Sequence, residues 1–162
     1  MMKNRHVVGN KDRKKYFFMI KDAFPDVDIP SKSKMEIAKI EDFDVLIIDN
    51  SVDFLVANDS ILLTIHAISN YKPKTRWVTV DEGAIRFIVN GADVMAPGIV
   101  DADKDIRKGY SVWVKDEKHS TPLASGIALL DGSEMIKSSS GKAVKNLHHV
   151  GDTLWKFFSK SL

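Results

Sequence analysis

The sequence predicts an α+β protein in two parts, a first domain that combines helix with short strands and a second domain built mainly of short strands. Three features predict this organisation. A helical stripe lies near the N-terminus, short apolar segments separated by turn residues follow it, and a polar, proline-containing stretch divides the chain at residues 70–76. The predicted domains therefore span residues 1–75 and 76–158.

The first element is an amphipathic helix over residues 11–23. Asn10 is placed to cap this helix, and Pro25 ends it because a proline disfavours helical geometry in the residue before it. The apolar positions recur at helical spacing, and they are Tyr16, Phe17, Ile20, Ala23 and Phe24. The sequence therefore predicts one helix that buries this stripe.

Short extended segments follow the helix, and they cover residues 35–40, 44–48 and 52–57. The middle segment contains a continuous apolar run, which is typical of a strand buried on both faces. Asp, Asn and Ser residues between the segments supply turns. Residues 61–71 fit either a strand or a helix, because their isoleucines share one helical face.

The second domain begins with a predicted strand over residues 77–80 and a helix over residues 82–89, which Asp81 caps. Gly91 stands where a helix ends in the left-handed conformation. Turn dipeptides containing glycine then separate further strands, which are predicted at residues 93–95, 111–115, 123–130 and 141–144. Many short strands with one early helix indicate a small β-barrel or sandwich.

Composition and charge exclude several classes of protein. The 162 residues carry a formal net charge of +2 and include no cysteine, which excludes disulfides, thiolate–zinc sites and cysteine nucleophiles. Residues 1–39 hold ten Lys and Arg against five Asp and Glu, which fits either a solvated helix face or a phosphate-facing surface. No signal-peptide pattern and no apolar run of about 18 residues is present, so we expect a soluble, cytoplasmic protein.

The polar residues of the second half form no coherent catalytic or metal-binding set. His148, His149 and Asp152 offer three ligands, but neighbouring strand side chains point to opposite faces. A structural histidine beside the closure of the barrel, with Asp152 capping a turn, fits them better. Gly141 and Lys142 lack the remaining residues of a phosphate-binding loop. We therefore expect no cofactor, no metal and no enzymatic activity.

Motifs in the second half resemble the PUA domain, the RNA-binding module of pseudouridine synthases and archaeosine transglycosylases. Residues 80–85 (VDEGAI) and 90–99 (NGADVMAPGI) match the opening of that module in sequence and spacing. Residues 124–128 (ASGIA) and 148–152 (HHVGD) follow in the expected order. The resemblance covers about residues 77–157 and implies a β pseudo-barrel.

With an α+β domain of about 75 residues ahead of it, this arrangement resembles the malignant T-cell-amplified protein and ligatin group, particularly its archaeal single-chain relatives. In that group the first domain usually ends with Pro-Thr-Leu-Arg in its last helix. Here residues 63–66 read Leu-Thr-Ile-His, so only Thr64 matches. A function carried by the arginine of that motif does not transfer to this chain.

The resemblance implies a non-enzymatic RNA-binding protein of the translation apparatus that contacts small-subunit rRNA or tRNA during initiation or recycling. Relatives pair with, or are fused to, a SUI1-type domain, so the resemblance implies a SUI1-type partner on a separate chain. An alternative is an accessory RNA-binding module for a tRNA or rRNA modification enzyme. A small-molecule enzyme or regulator with a PUA-like barrel is a third interpretation, against which the missing catalytic set argues.

The resemblance places the RNA surface on the helix after Asp81 and on a strand near Lys142. Glycines there lack a Cβ atom, so the backbone can approach a phosphate or base closely. Turn geometry explains such glycines equally well, and ordinary solvent exposure explains the cations. The predicted RNA-binding residues are Gly83, Arg86, Gly91, Ala92, Lys142, Lys145 and Arg76. Whether the basic N-terminal helix extends this surface stays open.

Overall fold

Two sheets contain all the strands of the computed structural model, which describes residues 1–160. In the first sheet five strands follow one another in chain order, and each is antiparallel to its neighbour. These strands are β1 (Met2–Val7), β2 (Met35–Ile40), β3 (Phe43–Ile48), β4 (Ser51–Ala57) and β5 (Ser60–Leu63).

The second sheet forms a nearly closed six-stranded pseudo-barrel, which confirms the β pseudo-barrel implied by the resemblance. Its strands are β6 (Trp77–Val80), β7 (Val94–Met95), β8 (Ile99–Ala102), β9 (Ser111–Asp116), β10 (Pro122–Ala128) and β11 (Lys142–His149). They are ordered β7-β11-β10-β9-β6-β8, and the β6–β9 pair is parallel whereas the other pairs are antiparallel. The α+β fold class is confirmed, while the domain boundaries stay a prediction.

In the described part of the chain, residues 1–160, five α-helices accompany the two sheets. They are α1 (Asn10–Ala23), α2 (Ile65–Tyr71), α3 (Glu82–Ile88), α4 (Gly132–Lys137) and α5 (Thr153–Lys160). Helices α1 and α2 pack buried residues such as Ile20 and Ile68 into the core of the first sheet, and α3 packs Ile88 into the core of the barrel. Within residues 1–160, none of these helices combines the length and the apolar character needed to cross a bilayer.

Strand β3 is buried on both faces, as its apolar run predicts. Leu46 and Ile48 belong to the cluster under α1 and α2, whereas Val45 and Ile47 belong to a cluster on the other side. The buried Leu154 of α5 belongs to that second cluster. The C-terminal helix, which the sequence did not predict, therefore covers the second face of the first sheet together with Ile127 and Leu147 of the barrel.

Buried polar groups join the first sheet to the barrel. The Ser125 hydroxyl donates to the carbonyl of Leu63 at 2.5 Å. The imidazole Nε2 of His148 accepts the N–H of Ile65 at 3.1 Å, while its Nδ1 bonds the carboxylate of Asp152 at 2.8 Å. This N–H lies at the first residue of α2, where it has no partner inside the helix. His148 is thus a structural residue, in agreement with the sequence interpretation.

The N-terminal region differs from prediction in two respects. Asn10 is not the cap of α1, because it lies inside the helix and Gly9 takes the extended cap conformation without a side-chain hydrogen bond. Strand β1 was missed because it is an exposed edge strand of mostly polar residues, which has no apolar alternation.

The ambiguous residues 61–71 divide between the two predicted states. They complete strand β5 and form helix α2, and Thr64 separates the two by accepting the N–H of Ala67 at 3.1 Å. Other short elements of the second half, β8 and α4, were also missed. Strand β11 continues to His149, beyond the predicted residues 141–144, through residues of mixed polarity that resemble a loop in sequence.

Candidate nucleic-acid interface

Helix α3 forms one wall of a surface groove on the barrel. Its predicted cap is confirmed, because the Asp81 carboxylate accepts the N–H of Ala84 at 3.0 Å. Ile88 is buried in the barrel core and Ile85 packs against it. Phe87 therefore points away from the core, and at 54% exposure it is the most exposed large hydrophobic residue of the barrel.

The groove beside α3, here called the α3 groove, has a volume of about 610 Å³. Four of its twelve lining residues are glycine or alanine, and the others include the apolar side chains of Phe87, Val94 and Met95. A Cβ atom added at Gly98 would lie 3.1 Å from the Cβ of Ala84, so a larger residue would crowd the helix against the loop. The lining comprises Asp81, Gly83, Ala84, Phe87, Ile88, Ala92, Asp93, Val94, Met95, Pro97, Gly98 and Lys142.

A polar network from β11 holds the loop between α3 and β7 in place. The side-chain amide of Asn146 donates to the carbonyls of Ile88 and Ala92, both at 3.0 Å. The backbone N–H of Asn146 donates to Asp93 Oδ1 at 3.0 Å, and Lys142 Nζ lies 3.2 Å from Asp93 Oδ2. The loop conformation thus depends on a strand that lies more than fifty residues later.

This network keeps Asp93 ionised. The N–H of Asn146 lowers the pKa of the Asp93 carboxyl below its ordinary value, and the ammonium groups of Lys142 and Lys145 lower it further against an opposing effect of burial. The Lys142 side chain remains 63% exposed, so its ammonium group is accessible to a ligand. The groove therefore has one anion and one cation side by side at its edge.

The structure brings most of the predicted site residues to the α3 groove or its edge. Gly83, Ala92 and Lys142 line it. The guanidinium of Arg86 lies 4.8 Å from the ring centre of Phe87, at the exposed side of α3. Gly91 has the predicted left-handed conformation, with φ of 92°, and turns the chain out of the helix.

Two predicted residues lie elsewhere. Lys145 is exposed and does not line the α3 groove, although its ammonium group is near enough to lower the pKa of the Asp93 carboxyl. Arg76 lies at the junction of the two sheets, where its guanidinium stacks 3.8 Å from the ring centre of Tyr110 and donates to the carbonyl of Asp22 at 3.1 Å. Burial lowers the pKa of Arg76. The structure thus engages Arg76 in contacts within the protein.

Sequence reasoning missed three residues of this surface, namely Phe87, Asp93 and Asn146. For Phe87 a signal exists, because it falls outside the helical face formed by Ala84, Ile85 and Ile88. No comparable local signal marks Asn146, whose partners are distant in sequence. Among residues 1–160, no group of three or more His, Asp or Glu side chains is arranged to hold a metal ion. The groove is suited to a ligand that combines a flat apolar group, which would pack on Phe87, with an anionic group, which would contact Lys142.

Comparison with known proteins identifies a family model and several relatives that are similar to this chain. The PUA domain model matches residues 76–150. An uncharacterized protein of Methanocaldococcus jannaschii is 42% identical over 96% of this chain and 98% of its own length. Translation machinery-associated protein 20 of Saccharomyces cerevisiae is 34% identical over 80% of this chain and 75% of its own length. The malignant T-cell-amplified sequence 1 homolog of Drosophila melanogaster is 28% identical over 81% and 75% of the respective chains.

The solved structures include a similar fold over nearly the whole chain. A hypothetical protein from Pyrococcus horikoshii superposes with a TM-score of 0.86 at 35% identity, covering 95% of this chain and 99% of that protein. The likeness therefore extends across both sheets and includes the first sheet, which the PUA domain model does not cover.

Proposed function

The chain belongs to the family of PUA-domain proteins that includes translation machinery-associated protein 20 and malignant T-cell-amplified sequence 1, and on that premise we propose that it binds small-subunit rRNA or tRNA in initiation or recycling. Its role is RNA binding in association with translation. Beyond this role, we propose that the RNA is small-subunit rRNA or tRNA and that the protein acts in the cytoplasm without enzymatic activity.

The observation that carries the proposal is the juxtaposition of Phe87 with cations beside a groove whose lining includes two glycines. An exposed aromatic ring can stack an unpaired base, which is worth about 1–3 kcal/mol per base. Arg86 lies against this ring and Lys142 lies at the groove edge, so both can reach the flanking phosphates. Small residues at Gly83 and Gly98 allow a nucleotide to approach the main chain closely.

The small number of cations at the groove indicates how the RNA is held. Arg86 and Lys142 would contact two phosphates. For a single strand, the logarithm of the RNA association constant should then fall with the logarithm of the salt concentration with a slope of about −1.4. Stacking and backbone contacts then supply most of the affinity. This balance suits an exposed end or loop of a structured RNA, where unpaired bases are accessible.

We also propose a SUI1-type partner protein on a separate chain, together with contact to the small ribosomal subunit. The support is the resemblance to the malignant T-cell-amplified group, whose members pair with or are fused to such a domain. Sedimentation with purified small subunits, with and without tRNA, tests the ribosomal part of this proposal directly.

The test of the RNA site uses fluorescence anisotropy with the full chain, a labelled tRNA and a labelled twelve-nucleotide single strand. Arg86→Ala and Lys142→Ala should each weaken binding a few-fold and reduce the salt slope by about 0.7 per lost contact. The matched control is a Lys14→Ala/Lys15→Ala double variant on α1, which should bind nearly as well as the wild type. If both groove variants bind normally and the α1 variant fails, the first sheet carries the affinity and the proposed site is wrong.

A further inference from the structure

Helix α1 exposes an aromatic residue that the first sheet does not use. Phe18 is 73% exposed, whereas its neighbours Phe17 and Met19 pack against the core under α1. The helix spans 14 residues, so it is about 21 Å long. One stripe of this helix runs from Arg13 and Lys14 at its start, through Phe18, to Lys21 at its end.

A groove, here called the α1 groove, lies between this stripe and the loop that follows the helix. It encloses about 500 Å³ and shares no lining residue with the α3 groove. Large side chains line it, whereas glycine and alanine make up part of the lining beside α3. They belong to Phe17, Phe18, Ile20, Pro25, Val27 and Ile29.

The charge along the α1 groove changes sign from one end to the other. A second hollow of about 450 Å³ adjoins it at the start of the helix, sharing Phe17 and Ser31, and is bordered by Arg13 and Lys14. At the other end Asp22 and Asp28 line the groove together with Lys21, so this end carries a net negative charge. The positive end of the helix dipole adds to the two cations.

The two cations have different roles. Arg13 donates to the carbonyl of Ser31 at 2.6 Å and lies 4.8 Å from the ring centre of Phe17, so it holds the loop against the helix. Lys14 makes no ion pair or side-chain hydrogen bond with any other residue in the range 1–160, and it is exposed. Its ammonium group is therefore available to an anionic ligand.

We propose that the α1 groove binds a short acidic segment of a partner protein, with aromatic or aliphatic side chains on the groove floor and carboxylates against Lys14. A floor of large apolar side chains complements apolar side chains of a ligand better than it complements a ribose-phosphate backbone. A nucleic acid laid along the groove would bring phosphates to Asp22 and Asp28, whereas a peptide places its acidic residues only at the basic end. About six extended residues span the length of α1.

The first experiment selects ligands without assuming a partner. A phage-displayed library of random twelve-residue peptides is panned on the immobilised full-length protein. The enriched peptides should carry net negative charge and at least one aromatic or large aliphatic residue. Absence of enrichment, or enrichment of neutral or basic peptides, would overturn the proposal.

The second experiment locates the binding site of the enriched peptide. The peptide carries a fluorescein label, and its affinity for each variant is measured by fluorescence anisotropy. Phe18→Ala and Lys14→Glu should each weaken its affinity by about tenfold or more, because they remove an apolar anchor and reverse the complementary charge. Both residues are exposed, so thermal unfolding should be unchanged. Val100→Ala and Lys104→Glu are matched controls on exposed residues of the barrel side and should change the affinity less than twofold.

A competition experiment separates a protein ligand from an RNA ligand. The twelve-nucleotide single strand should leave the labelled peptide bound, and its own affinity should not depend on Phe18. If the RNA displaces the peptide and loses affinity in Phe18→Ala, the α1 groove is an RNA site and the proposal is wrong. Unchanged peptide affinity in both Phe18→Ala and Lys14→Glu would also contradict it.

Discussion

The α3 groove and the α1 groove both combine an exposed phenylalanine with a neighbouring cation on the surface of a helix, yet their floors differ. Beside α3 the lining includes glycines and alanines, Gly83 and Gly98 among them. Beside α1 the lining contains neither glycine nor alanine and includes large side chains such as Phe17 and Ile29. Glycines in a lining let a flat base and its sugar approach the main chain closely, whereas a lining of large side chains complements other side chains. Two surfaces of similar composition thus suit two classes of ligand.

The cations of the two grooves differ in whether an anionic partner is already present. Lys142 lies 3.2 Å from Asp93, so a ligand phosphate competes with a carboxylate that is already present. Lys14 has no such partner among the described residues. The α3 groove therefore depends more on stacking and less on charge than the basic helix α1 does.

The largest expected effect comes from damage to the strand pair that supports the α3 groove. In Gly126→Ala the new Cβ would lie 1.9 Å from the carbonyl oxygen of Lys145, so β10 and β11 must separate. The free energy of unfolding should fall by about 3 kcal/mol, as expected for a backbone clash in a core strand pair. Chemical denaturation measures this loss.

A glycine with open surroundings provides the control for that variant. A Cβ at Gly9 would meet no atom within 4 Å, so Gly9→Ala should cost about 1 kcal/mol or less. Below its unfolding transition, Gly126→Ala should bind RNA more than tenfold more weakly and still bind the peptide of the α1 groove. Equal loss at both grooves would show that the two surfaces are not independent.

The next largest effect tests the junction between the two sheets. His148→Leu leaves the Ile65 N–H and part of the Asp152 carboxylate without partners. The free energy of unfolding should fall by about 2 kcal/mol, because the desolvation cost of these buried groups is no longer offset. His149→Leu, next in the chain and half-buried, should cost less. If the two variants lose the same free energy of unfolding, the hydrogen bonds of His148 at the junction contribute little to stability.

Exchanging the two exposed phenylalanines for alanine tests the difference between the grooves directly. Phe87→Ala should weaken binding of the twelve-nucleotide RNA by about tenfold, since one stacked base is lost. Phe18→Ala should change RNA affinity by less than twofold. Anisotropy titrations of both variants under identical salt decide between stacking at α3 and stacking at α1.

The smallest effect concerns the anion of the α3 groove. Asp93→Asn keeps an acceptor for the Asn146 N–H but removes the charge that engages Lys142, so RNA affinity should rise by about threefold. The pKa of Asp93 is lowered, so this carboxylate stays ionised and the gain should be equal at pH 6 and pH 8. Glu82→Gln, whose carboxylate pairs with Lys118, serves as the control. A decrease in affinity would mean that Asp93 itself contacts the RNA.

Local patterns in the sequence were sufficient for the elements whose stability is local. Three such elements depend on residues three or four apart or on one backbone angle, and the structure confirms all three. They are the apolar stripe of α1, the Asp81 cap and the left-handed Gly91. The apolar run of β3 likewise predicted burial on both faces. The motif spacing of residues 80–99 was enough to identify the family, because it reflects the helix, the turn and the loop in chain order.

Tertiary structure decided the features that depend on distant partners. Strand β1 is defined by pairing with β2, not by its own apolar pattern, and the second cover of β3 comes from α5 at the other end of the chain. Arg76 looked like a free cation in sequence but stacks on Tyr110 at the junction. Asn146 reaches Ile88 across 58 positions of sequence. Hydrogen bonds and packing between remote segments leave no periodic signal, so these roles could be assigned only from the folded chain.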